Sequence, residues 1–204
     1  MSYPVTFEAD YEERRSRLTA FFRLILAIPL FIWLYVYAIV AGIAVVIAWF
    51  AIVFTAHYPQ GLYDFVEGYT RFSTRALAYS FLLCDPYPSF GGGDDPAYPV
   101  RMQFAGPLPE YSRVKTFFRI ILAIPIMIAR YAIGFLLEIG AIAAWFVIVI
   151  MGRLPEGLFE MMVLGNSYTA RSDAYLYLLT ETYPPFADEP AASRGAPIQP
   201  GRPV

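Results

Sequence analysis

Apolar positions gather into two long runs, 21–56 and 117–151, and each run is followed by about twenty residues with helical alternation of polar and apolar positions. Ahead of each run lies a short stretch of period two. Val5, Phe7 and Ala9 alternate with Thr6 and Glu8, and Val100, Met102 and Phe104 alternate with Arg101 and Gln103. Period two predicts a strand. Each lone strand could serve as the other's partner, so a small two-stranded ribbon outside the membrane is expected.

The first run carries one formal charge, Arg23, in 36 residues. A straight helix of that length measures about 54 Å, whereas a bilayer core of about 30 Å needs roughly 20 residues. The second run carries Arg119, Arg130 and Glu138. A single crossing would hold Glu138 at mid-membrane, which costs at least about 2.5 kcal/mol and demands a partner. A hairpin turning within 134–140, between Gly134 and Gly140, moves Glu138 to the far boundary and brings Arg130 within snorkelling reach of it. The pattern therefore predicts a transmembrane or re-entrant helical hairpin in each run, the first turning near 36–42 beside Gly42. A single long crossing is the alternative, and it would make Arg130 and Glu138 an intramembrane pair.

The helical stretches at 62–83 and 158–179 read as amphipathic helices lying in the membrane interface. In the first, Asp64, Glu67, Arg71 and Arg75 share a solvated face, and Glu67 and Arg71 form an i, i+4 pair. Pro59-x-Gly61 and Pro155-x-Gly157 mark the turns that lead into them.

The two halves are copies. Positions 21–90 align with 117–186 without a gap, and 27 of the 70 pairs are identical. FFRLILAIP meets FFRIILAIP, AWFAIV meets AWFVIV, and DPYPSF meets ETYPPF. Membrane bias alone does not put Arg, Pro and Gly in register. The units are 1–90 and 98–186, joined by a Gly/Asp linker at 91–97 that reads as flexible. The Pro/Ala-rich tail, 187–204, reads as disordered. The fold class is an all-α integral membrane protein built from a tandem repeat.

The repeated phrase assigns Arg23 and Arg119 to the entry of each run, where the stems snorkel to headgroup phosphates. Arg75 and Arg171, on the interfacial helices, are further headgroup candidates. Pro29 and Pro125 either kink each arm or end a surface helix over 17–28 and its copy. Basic residues bracket each run, so both ends of each hairpin are expected on the cytoplasmic side. Two hairpins of one orientation imply a parallel repeat, with its pseudo-twofold axis along the membrane normal.

Composition agrees with a membrane protein. Hydrophobic residues are 58 % and charged residues 16 % of the 204, against roughly 45–50 % and 25 % in soluble domains. A net charge of −2 offers nucleic acid no basic field. The acidic N-terminus has no secretory signal pattern. Candidate chemistry is sparse. His57 is the one histidine, and Arg153 fills its place in the second copy. Cys84 is the one cysteine and reads as a buried apolar residue. No nucleophile–base set or phosphate loop is present, so no catalytic, metal or cofactor site is expected.

Arg17–Pro29 (RLTAFFRLILAIP), the AWF segment at 48–50, the YPQGL corner at 58–62 and the closing YPSF at 87–90 resemble the bacterial membrane family called domain of unknown function 4389. The second copy carries the same landmarks, with Leu154 in place of the corner tyrosine. The resemblance implies location in the bacterial cytoplasmic membrane and no known chemistry. The expected function is that of a non-enzymatic, multi-pass membrane protein that organises the membrane or serves as an accessory subunit. Its partners would be lipids and other membrane proteins. A small transporter with a path between the repeats is the alternative.

Overall fold

The computed structural model describes residues 3–186; the tail at 187–204 lies outside the described residues. Each repeat has the same parts. The first comprises β1 (Val5–Ala9), α1 (Arg17–Phe21), α2 (Arg23–Thr55) and α3 (Gln60–Ser80). The second comprises β2 (Val100–Phe104), α4 (Arg113–Phe117), α5 (Arg119–Met151) and α6 (Glu156–Leu176). The ribbon is present: β1 pairs antiparallel with β2 about Phe7 and Met102.

Local chemistry sets the boundaries. Ser16 and Ser112 cap the short helices by accepting from the N–H groups of Thr19 and Lys115. The chain breaks at Phe22 and Phe118, not at the prolines, which stand inside α2 and α5 in their second turn. The long helices end where Ala56 and Gly152 turn left-handed, at φ 61° and 72°. Leu82 and Leu178 turn α3 and α6 off the same way, several residues before the Tyr-Pro pairs.

The hairpins expected within the apolar runs are not formed. Both α2 and α5 are continuous helices of 33 residues, about 50 Å long, with Gly42, Gly134 and Gly140 inside them. A tight turn frees backbone groups that need polar partners. VYAIVAG at 36–42 offers only the Tyr37 hydroxyl, whereas a helix satisfies its interior backbone groups internally. The two helices are long and apolar enough to cross a membrane.

The packing order is α2, α3, α6, α5, with the ribbon laid over the inner pair: β2 on α3 and β1 on α6. Small residues on α2 (Ala27, Ala41, Ala44 and Ala48) let α3 approach closely. The short opening helices are exchanged between repeats, α1 packing on α5 and α4 on α2. Phe21 stacks on Trp145 with ring centroids 6.1 Å apart, and Phe117 meets Trp49 at 6.0 Å.

These contacts fix the relative direction of the repeats. The Trp49 Nε1–H donates to the Thr116 carbonyl at 2.9 Å, and the Tyr111 N–H to the Ala56 carbonyl at 2.8 Å. The second repeat therefore begins where α2 ends. Conversely, the Arg15 N–H donates to the Gly152 carbonyl at 3.0 Å and the Leu154 N–H to that of Glu13 at 2.8 Å. So α2 and α5 run antiparallel, and the two like-oriented hairpins expected from charge placement are replaced by two single helices of opposite direction. The pseudo-twofold axis passes through the ribbon and between α3 and α6, at right angles to the long helices.

The inner helices are also not the solvated elements that their pattern suggested. Twelve residues of α3 are buried, among them Thr74 and Arg75 from its polar face. That face lies beneath the ribbon and the linker. The linker is held in place: Gly92 sits against Gly68, so closely that a Cβ on Gly92 would lie 2.5 Å from the Gly68 Cα. Arg75 donates to the carbonyls of Gly91 at 2.7 Å and Gly93 at 3.0 Å.

Candidate functional site

The two arginines of the repeated phrase turn inward. Arg23 is 2 % exposed. Its guanidinium stacks 4.0 Å from the Tyr79 ring and donates to Asp85 Oδ1 at 2.8 Å. The other Asp85 oxygen accepts the Ser16 N–H at 2.8 Å, so one carboxylate ties the end of α3 to the starts of both α1 and α2. In the second repeat Arg119 stacks 3.8 Å from Tyr175 and donates to the Thr180 carbonyl at 2.7 Å, while Glu181 accepts the Ser112 N–H at 2.7 Å. The Arg–Tyr stack is preserved. Arg75 and Arg171 are likewise buried, Arg171 within α6 donating to the Ser167 carbonyl at 3.2 Å. Arg23, Arg75 and Arg119 hold tertiary joints, and Arg171 is buried with its guanidinium 6.0 Å from the Tyr3 ring, which corrects the assignment of all four to lipid headgroups. Planar guanidinium groups stack face to face on a ring while donating from their edge.

Arg130 and Glu138 do not pair with each other. Arg130 reaches across to α6 and meets Asp173 at 2.8 Å. Burial lifts the Asp173 carboxyl to about 6 in spite of the arginine beside it. Asp173 escaped the sequence reading. The signal for it was available: in register, Arg130 and Asp173 replace Leu34 and Leu77 of the first copy, a joint change of two apolar positions to opposite charges. Glu138 is exposed on α5.

His57 is exposed, with Nδ1 2.7 Å from the Thr55 carbonyl oxygen at the end of α2. Cys84 is buried with Sγ 3.2 Å from the Tyr98 hydroxyl, and burial pushes its thiol pKa up. Among the described residues, no three His, Cys, Asp or Glu side chains come together as a metal ligand set.

The surface is dominated by large apolar side chains on the long helices. On α2 the exposed row runs from Leu24 through Phe31, Val40 and Ile47 to Phe54; on α5 it runs from Ile120 through Phe135 to Ile150. The short helices extend it with Leu18, Phe21, Val114 and Phe117. The middle layer has the opposite character, burying Thr70, Ser73 and Arg75 on α3 and Asn166, Ser172 and Asp173 on α6. The distribution is inverted relative to a soluble domain, where charged groups stay outside. Exposed apolar patches rarely exceed a few hundred Å² on soluble monomers.

A mostly helical tandem repeat with two long apolar helices is thus the class this chain represents. The chain belongs to the family described as domain of unknown function (DUF4389), which it matches twice, over residues 17–91 and 113–188. No curated protein and no solved structure matches it.

Proposed function

We propose that the chain is a non-enzymatic membrane protein of the bacterial cytoplasmic membrane, held by α2 and α5, that organises lipid or serves as an accessory subunit of a larger assembly. The observation that supports this is the inverted distribution of polarity: apolar rows outward on the long helices, and hydroxyls and charges inward on α3 and α6. Burying apolar surface stabilises by about 25 cal/mol per Å², so rows this long need a lipid or protein cover. The buried arginines fit a scaffold, because Arg23, Arg75 and Arg119 join separate elements. The experiment is purification from native membranes in mild detergent, followed by reconstitution. Recovery with stable partners, or a change in liposome size, supports the reading. A protein recovered alone that leaves liposomes unchanged overturns it.

The second reading, a conduit between the repeats, is favoured by one observation, the Arg130–Asp173 pair buried between α5 and α6. Ion flux in proteoliposomes that is lost in Asp173→Asn would select it.

A further inference from the structure

We infer that the molecule occupies a single leaflet: α2 and α5 lie along the membrane plane, and the β-ribbon faces the water on the same side as both helix ends. This rests on the membrane reading above and sets its geometry. Three observations carry it.

The first is the path of the chain between the repeats. Asp85 lies beside Arg23 at the start of α2, and Tyr111 lies beside Ala56 at its end. Residues 86–111 therefore travel the whole length of α2 without a helix. They contain Asp94, Asp95 and Arg101 and one strand of a ribbon that, among the described residues, has two strands. If α2 crossed the bilayer, this segment would cross it too, as open strand and coil. Hydrocarbon does not tolerate such backbone, because its N–H and C=O groups have no partners there.

The second is what lies at mid-height. The ribbon crosses α3 near its centre, where Arg71 Nε–H donates to the Met102 carbonyl at 3.2 Å. Gly92 meets Gly68, and the Tyr37 hydroxyl of α2 donates to the Phe65 carbonyl of α3 at 3.4 Å, so this level is also the middle of α2. There Arg101 binds Asp10 at 2.7 Å and Glu8 at 3.4 Å, with Asp10 60 % and Glu8 43 % exposed. A spanning orientation puts these charges at the bilayer centre, where ionised side chains are strongly disfavoured. An in-plane orientation leaves them in water.

The third is the apolar row and its ends. From Leu24 to Phe54 it is about 45 Å long, half as long again as a bilayer core. Lying flat, it meets no such limit. Each end carries a short helix with exposed bases and no acid, Arg17 on α1 and Arg113 with Lys115 on α4. The pseudo-twofold axis interchanges the two ends, so with the axis along the membrane normal both sit at one depth. Apolar residues flanked by bases suit a leaflet with anionic headgroups.

The test uses the full chain in sealed membranes. Glu12→Cys and Glu110→Cys mark the opposite ends of α2, and Asp94→Cys marks the linker; all three positions are exposed. Cys84 stays in place, because its burial makes it unreactive. An impermeant maleimide is applied to intact cells and to inside-out vesicles. The three sites are expected to react together in one preparation and to be spared together in the other. Glu12→Cys and Glu110→Cys reacting in opposite preparations overturns the single-leaflet geometry while the membrane reading stands, and so does an Asp94→Cys that reacts only after detergent. Release by alkaline carbonate as a soluble dimer, with the apolar rows of two copies facing each other, overturns the membrane reading itself.

Discussion

The Arg130 guanidinium lies 2.8 Å from the Asp173 carboxylate, and the positions they occupy are both leucine in the first repeat, Leu34 and Leu77. One fold thus tolerates either chemistry at equivalent places. Asp173 is 5 % exposed at its side chain and Arg130 36 %. Removing the arginine strands a buried carboxylate, which costs about 3–5 kcal/mol in a closed site. Arg130's partial exposure reduces that to about 2–3 kcal/mol. Arg130→Leu should lower the unfolding midpoint in detergent, and Arg130→Leu with Asp173→Leu should recover most of the loss. A double variant no more stable than the single one would show that the pair is not the coupled unit described.

The same carboxyl sets a pH dependence. Its folded value, about 6, lies above its ordinary 3.8, so the folded state holds the proton more tightly than the unfolded state. Stability from this group is full below about pH 4 and declines as pH rises through 6. Thermal unfolding between pH 4.5 and 7 should show that decline, and Asp173→Asn should flatten it.

Gly92 lies against the Gly68 backbone with no space for a methyl group. Gly92→Ala has to push the linker off α3 and loosen Arg75 from the Gly91 and Gly93 carbonyls. A cost of about 1–3 kcal/mol is expected from overpacking. The neighbouring Gly93→Ala meets nothing within 4 Å and should leave the unfolding midpoint nearly unchanged.

Gly152 ends α5 at φ 72°, and its counterpart Ala56 ends α2 at φ 61°. Left-handed geometry costs an L-residue about 1 kcal/mol. Gly152→Ala should lose at least that much, because its methyl would also lie 2.9 Å from the Arg17 Nε and displace that side chain. Chemical denaturation compared with wild type would measure it.

Much of the architecture was legible in the residues. The tandem register, the strand at each repeat's opening and the helices after each Pro-x-Gly corner all follow from periodicity, and all are present. The interior of the long runs was misread because Glu138 was treated as a charge that must escape the bilayer. Its exposure on a continuous α5 removes that constraint once the helix need not cross. The fate of Arg23 was hidden for another reason. Snorkelling and inward stacking demand the same residue at the same helical position, and Asp85, which decides between them, is 62 residues away. The opposite directions of α2 and α5 were equally out of reach, because they depend on Trp49 meeting Thr116 across the copies. The Arg130–Asp173 pair was within reach, through the two leucines it replaces.

The exchange of α1 and α4 between repeats has a consequence for how the chain comes apart. Each half contributes a piece that completes its neighbour, so neither half is a finished object. Melting one would unseat the other, and calorimetry should record one sharp transition for the whole length, not two staggered ones. Severed at the linker, the fragments would find stability only by reuniting.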